Sequence, residues 1–158
     1  MNHNIIFQKI ETDDLPEVSA IEQQCYPNPW PQKTMQDCLD ADYQCLKGLS
    51  EQSPDILCYA FMAIGHEEAH LLKITVHPEH QKKGLAQAML QRLTLICRIN
   101  HARRIWLEVR AGNEPAIRFY QKAGFETKGL RRNYYRYQDQ QGKKVKEDAL
   151  VMCFSLLN

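Results

Sequence analysis

Residues 71–99 read as a strand, a short basic loop holding one glycine, and a helix. That succession narrows the folds open to the chain more than any other segment. Leu71, Leu72, Ile74, Thr75 and Val76 form an apolar run that stops at His77-Pro78. From residue 85 to residue 99, Leu85, Met89, Leu93, Ile96 and Cys97 recur at helical spacing. Between the two lies Gln81-Lys82-Lys83-Gly84-Leu85-Ala86. The first N–H groups of a helix have no partner within it, and the helix dipole favours negative charge there. Gly84 lets the backbone approach a phosphate closely, and Lys82 and Lys83 add charge. A ligand carrying a phosphate or pyrophosphate is therefore expected on this loop. It is not a Walker loop, since no Gly-Lys-Ser/Thr follows four residues after an earlier glycine, nor the dinucleotide fingerprint, which needs two further glycines. These few residues alone leave open a plain surface loop eased by a glycine.

Size and charge exclude several classes. A chain of 158 residues can bury a core without disulfides or metal and is expected to form one domain over 1–158. Its net charge of +1 argues against nucleic-acid binding through a broad basic face. Met1-Asn2-His3-Asn4-Ile5 lacks the basic-then-apolar pattern of a signal peptide, and no apolar run approaches membrane-spanning length. Cys25, Cys38, Cys45, Cys58, Cys97 and Cys153 are spread without a Cys-x-x-Cys pair, so reduced, mostly buried thiols in a cytoplasmic protein are expected. His66 with His70, and His77 with His80, sit in turn or strand context without zinc spacing, and no metal site is expected.

The rest of the chain alternates in the same manner. Ile5–Ile10 reads as an opening strand, followed by a helix capped by Thr12 or Asp13 with Leu15, Val18, Ile21 and Cys25 on one face. Pro27, Pro29 and Pro31 around Trp30 make a rigid loop before a short helix from Gln32 to Leu39. Strands follow near 43–49, 56–64 and 70–76, then the helix after Gly84 and a strand at 105–109. Asn113 caps a helix with Pro115 in its first turn, and Gly124 ends it in the left-handed conformation. Two strands at about 125–137 and 148–157, joined through Asp139–Lys143, close the chain. The order β-α-α-β-β-β-α-β-α-β-β predicts an α/β domain, a mixed sheet of about seven strands flanked by four helices. One helix joins strands 70–76 and 105–109, so they should lie side by side and parallel. Ligands of such sheets bind outside the carboxyl ends of the strands, where Glu108 and the basic loop both fall.

Leu71 through Ala86 resembles the acyl-CoA-binding motif of the GNAT superfamily of N-acetyltransferases. Leu107-Glu108-Val109-Arg110-Ala111-Gly112-Asn113, continuing through Phe119-Tyr120 to Gly124-Phe125, resembles the second half of that core. Pro29-Trp30, Arg131-Arg132-Asn133-Tyr134-Tyr135 and Glu147-Asp148-Ala149-Leu150-Val151-Met152 are similar to the ribosomal-protein alanine N-acetyltransferases (the RimI type). The resemblance implies acetyl-CoA as co-substrate and a protein N-terminus, starting with Ala or Ser, as acceptor. It implies that the main chain of Ile74, Thr75 and Val76 pairs with the pantetheine amides in imitation of strand addition. It assigns Gln81, Lys82, Lys83, Gly84, Leu85 and Ala86 to the pyrophosphate, Asn113 to a further CoA contact, Glu108 as general base and Tyr120 as general acid. Ala86, Gly112 and Arg136 stand where relatives often carry glycine, serine and proline. The last of these bears on acceptor choice, not on chemistry.

Elementary chemistry fits those roles. An α-amine titrates near 8 and a lysine near 10.4, a gap of about 2.4 units or roughly 3.3 kcal/mol, so a base serving α-amines has the easier task. Full proton donation from a tyrosine near 10 to a thiolate near 8.5 is uphill by about 2 kcal/mol, which favours hydrogen-bond donation. Structural alternatives stand beside each role. Glu108 could pair with Arg110 or Lys73, Asn113 could be only a cap, and Tyr120 could pack on Phe119 with its hydroxyl bonded to backbone. Tyr26, Trp30, Tyr134 and Tyr135 suit a peptide end but equally a core or rim. Arg131-Arg132 and Lys143-Lys144 fit a solvated hairpin. Transfer to a small amine or a lysine side chain, and a binding-only acyl-CoA sensor, are the competing functions.

Overall fold

The structure is a computed structural model that describes residues 4–157. Met1, Asn2, His3 and Asn158, at the two ends of the expected domain, lie outside the described residues. Seven strands form one sheet in the order β1-β2-β3-β4-β5-β7-β6. They are β1 (Ile5–Lys9), β2 (Gln44–Ser50), β3 (Ser53–Ile64), β4 (Glu68–Val76), β5 (Arg104–Arg110), β6 (Glu126–Gln138) and β7 (Lys144–Ser155). The helices are α1 (Leu15–Cys25), α2 (Gln32–Asp40), α3 (Leu85–Ile99) and α4 (Glu114–Lys122). Every neighbouring pair is antiparallel except β4 and β5, whose parallel pairing agrees with the crossover expected from the sequence.

Alternation along β3 divides the interior in two. Cys58, Ala60 and Met62 face a core with Met89, Leu93 and Cys97 of α3, whereas Tyr59 and Phe61 face one with Val18 and Ile21 of α1 and Met35 of α2. Opposite sides of the sheet are thereby sealed by different helices, as both-face coverage requires. Between β3 and β4 the register slips at Phe61/Met62, leaving Leu72 as an extra residue. Leu72 and Lys73 consequently both serve the α1 side, Leu72 in its apolar cluster and Lys73 through an ion pair.

Three local expectations change. Neither Thr12 nor Asp13 caps α1. A 3₁₀ turn at Thr12–Asp14 precedes it, and Glu11 and Asp14 cap that turn reciprocally, because the acidic pair brackets the short helix more closely than the threonine does. The last strand starts at Lys144 and not at 148, since the hairpin continues its ladder out to Gln138–Lys144. Arg131 is not part of a merely solvated face, because it reaches Glu108. Gly124 behaves as expected at φ 106°, and a Cβ there would lie 2.7 Å from the Phe154 ring.

Candidate active site

Parallel pairing between β4 and β5 lasts only from Glu68–Arg104 to His70–Trp106. Beyond that point the strands part, while β4 stays paired to β3 through Val76 and β5 to β7 through Arg110. The β4 edge at Ile74, Thr75 and Val76 thus faces a cleft with unpaired main-chain groups, an opening for an added strand-like ligand. Val76 bounds it at the top, where its carbonyl accepts hydrogen bonds from the Gln81 side-chain amide at 3.3 Å and the Cys25 thiol at 3.6 Å.

The basic loop lies directly above. Lys82 and Gly84 both adopt positive φ, at 63° and 80°, and Gly84 leads straight into α3 without a side-chain cap. Among the described residues, the main-chain N–H groups from Gln81 to Gln87 donate to no protein acceptor. Gln81, Lys82, Lys83 and Gly84 are exposed, Ala86 is half-buried, and Leu85 is anchored in the core. The result is a run of free main-chain donors at a helix start, flanked by two exposed lysines. A cavity of about 590 Å³ runs between α3 and α4 on the same side of the sheet, lined by Leu90, Thr94, Phe119 and Phe125 among others.

Asn113 does cap α4, its Oδ1 accepting the Ala116 N–H at 3.3 Å. One helical face later, Tyr120 packs edge-on against Phe119 and Phe125, with ring centroids 5.1 and 5.5 Å away. Its hydroxyl makes no hydrogen bond among the described residues, contrary to the backbone-bonded alternative. Burial, reinforced by Tyr26 and Tyr135 nearby, pushes the phenol well above its ordinary value. It is therefore a proton-bearing donor at neutral pH.

Glu108 approaches from the opposite side. Ile105, Leu107 and Val109 fill the α3-side core, so Glu108 points to the other face, with its side chain only 10% exposed. It pairs with neither Arg110 nor Lys73. One carboxylate oxygen lies 2.6 Å from His70 Nε2 and the other accepts from the Arg131 guanidinium at 3.3 Å. The His70 hydrogen bond, then the charges of His70 and Arg131, hold the carboxyl below its usual range against the opposing effect of burial.

Lys73 belongs instead to a buried network that the sequence reading missed. Glu22, fully buried in α1, accepts from Lys73 Nζ at 2.8 Å, the Trp30 N–H at 2.9 Å and the Tyr59 hydroxyl at 2.6 Å. The ammonium also sits 3.9 Å from the Tyr26 ring centre and 4.7 Å from that of Trp30. Tyr26 in turn shares a 2.7 Å hydrogen bond with Thr75 Oγ1. These contacts tie the proline-rich loop to β4 beside the cleft. Tyr134 and Tyr135 pack edge to face with ring centroids 5.1 Å apart, with Arg131 over Tyr134 and Arg110 over Tyr135.

His66 and His70 do not act together, since His66 leans on Glu67 and His70 on Glu108. His77, Glu79 and His80 do converge, with ligand atoms within 4.8 Å of one another. His77 Nδ1 there already accepts the Glu79 N–H at 3.1 Å, capping its own turn. His70 gave no signal of its own in the sequence, because its place beside Glu108 depends on strand register. Two parallel strands in register at 70 and 106 make residues 70 and 108 diagonal neighbours on one face. Glu22 offered no signal beyond being an acid on an apolar helix face.

The chain matches known proteins along most of its length. Residues 15–125 match the model of the acetyltransferase (GNAT) family. The chain is 34% identical to the ribosomal protein bS18-alanine N-acetyltransferase of Escherichia coli, over 93% of this chain and 95% of that one. It is 31% identical to the protein of the same name from Haemophilus influenzae, over 94% and 97%. The crystal structure of the Escherichia coli ribosomal-protein alanine N-acetyltransferase superposes with a TM-score of 0.85 over 98% of this chain and 95% of that one, at 31% identity. A polypeptide that shares the family's model across its cleft-forming segments, and its fold throughout, belongs to the GNAT family of acetyltransferases.

Proposed function

We propose that the chain transfers the acetyl group of acetyl-CoA to the α-amine of a protein N-terminus. The acceptor is a ribosomal protein whose first residue is Ala or Ser, met in the cytoplasm. One observation carries this reading: β4 and β5 part beneath a loop of free main-chain donors, with the ionised Glu108 carboxylate on β5 and the buried Tyr120 of α4 near Tyr26 and Tyr135. The diphosphate sits on the N–H groups of residues 81–87, and the pantetheine arm pairs along Ile74, Thr75 and Val76, with Asn113 flanking it. The thioester then lies between the two candidate groups. Glu108 drives removal of the proton from the attacking amine. Tyr120 donates a hydrogen bond to the developing thiolate, because its raised pKa widens the mismatch that already disfavours full proton transfer.

Transfer is direct, in a ternary complex. Every cysteine is a free thiol held above its ordinary value by burial, and the half-buried Cys25 is tied to the Val76 carbonyl. None has the thiolate character that an acyl-cysteine intermediate needs. The acceptor reading rests on the names of the relatives and on the aromatic walls at Tyr26, Trp30, Tyr134 and Tyr135. Incubating a panel of N-terminal peptides with acetyl-CoA and reading products by mass spectrometry tests it. A gain of one acetyl group at the α-amine of Ala- or Ser-started peptides is expected. Preferential acetylation of free polyamines or internal lysines would replace this reading with small-amine or lysine transfer, and CoA binding without any product would leave a sensor.

A further inference from the structure

We propose that the base is a two-residue unit: His70 accepts the amine proton at Nδ1, while Glu108 positions the ring by accepting from Nε2. This deepens the acetyltransferase reading above and rests on it. His70 stands at the vertex of the cleft, in the last β4–β5 pair before the strands part. Ala69 and Leu71 beside it are buried in the α3-side core, so its ring projects to the same face as Glu108. The 2.6 Å contact joins a carboxylate whose other oxygen is already held by Arg131. Both oxygens of Glu108 are thus engaged and its side chain is 10% exposed, whereas the side chain of His70 is 42% exposed. An ionised carboxylate takes the proton-bearing nitrogen, which fixes the tautomer and leaves the lone pair on Nδ1.

Proton affinity favours the same division of labour. A base works best when its pKa lies near the working pH. The hydrogen bond from His70 and the charge of Arg131 hold the Glu108 carboxyl below the usual carboxylate range, which makes it a weak acceptor for an amine proton. The other charges on this face are occupied. Arg131 also stacks on Tyr134, Glu68 two residues earlier is held by Arg104 and the Trp106 indole, and Lys73 is held by Glu22. Glu108 is the carboxylate that bonds the ring.

In the reaction, the amine nitrogen forms its bond to the thioester carbon and the carbon–sulfur bond breaks. The proton on nitrogen passes to Nδ1, directly or through one water. The thiolate leaves beside the Tyr120 hydroxyl, and the imidazolium, paired with Glu108, returns its proton to solvent through its exposed edge.

Initial-rate kinetics on an Ala-started peptide with acetyl-CoA tests the dyad. His70→Gln keeps an N–H for Glu108 but has no basic nitrogen, so kcat should fall about 100-fold while KM for acetyl-CoA moves less than about two-fold. His70→Ala should be equally slow and should regain activity with added imidazole, in proportion to its unprotonated fraction. A His70→Gln enzyme within about three-fold of wild type, with Glu108→Gln still inactive, overturns the relay and leaves Glu108 as sole base. Failure of imidazole to restore His70→Ala overturns it equally. Wild-type protein that binds acetyl-CoA yet acetylates no peptide overturns the acetyltransferase reading itself, and this inference with it.

Discussion

The two sides of the cleft are assembled in opposite ways. The proposed cofactor side is nearly continuous in the chain: β4, the basic loop and α3 occupy residues 68–99 without interruption. The proposed acceptor side is stitched from distant pieces, Tyr26 to Thr75, Glu22 to Lys73, His70 to Glu108 and Glu108 to Arg131. A phosphate cradle needs free backbone donors at a helix start, which local geometry supplies. Proton chemistry needs charges with chosen partners, and only tertiary contacts supply those.

Substitutions can break that contrast, beginning with the severest. Glu108→Gln should lower kcat/KM by about 10² to 10⁴-fold with acetyl-CoA affinity intact, measured by initial rates beside calorimetric binding. Glu22→Ala strands Lys73 in a buried site and should cost about 3–5 kcal/mol in urea denaturation, whereas Glu22→Gln with Lys73→Met should recover much of it. Removing the Tyr120 hydroxyl as Tyr120→Phe should slow kcat by about 10- to 100-fold, the worth of one hydrogen bond to a charged group. Acetyl-CoA affinity should fall about ten-fold in Gly84→Val, which forces a β-branched residue to φ 80°, with kcat at saturation preserved.

The smallest effect is on stability against pH. The folded carboxyl of Glu108 titrates below its unfolded value of about 4.3. Its contribution is fully present above that value and is lost as pH falls through the lower folded one. Acid titrations of Glu108→Gln should therefore be flatter than wild type below about pH 4.3, and superimposable in slope above it.

Much of the cofactor side was legible beforehand. The strand ending at His77-Pro78, the helix over 85–99, the Asn113 cap and the turn at Gly124 each follow from spacing or backbone preference within a few residues. Glu108 was legible as a strand-end carboxylate, but its partners were not. Arg110 and Lys73 are near in sequence or charge, yet one faces Tyr135 and Tyr137 and the other is caged by Glu22 and two aromatic rings. Glu22 stood out only as an acid on an apolar helix face, because an amphipathic pattern reports which face is apolar and not whether a charge within it finds three donors.

By itself the amino-acid order determined the alternation of strands and helices, the parallel pair and the anion-ready loop, since each depends on periodicity, capping or a left-handed glycine. Only the tertiary structure decided where β4 and β5 part, which side chain Glu108 holds, and that Lys73 is spent inside the protein. Those outcomes depend on register and on competition among charges across the sheet, and neighbouring residues along the chain carry no record of them.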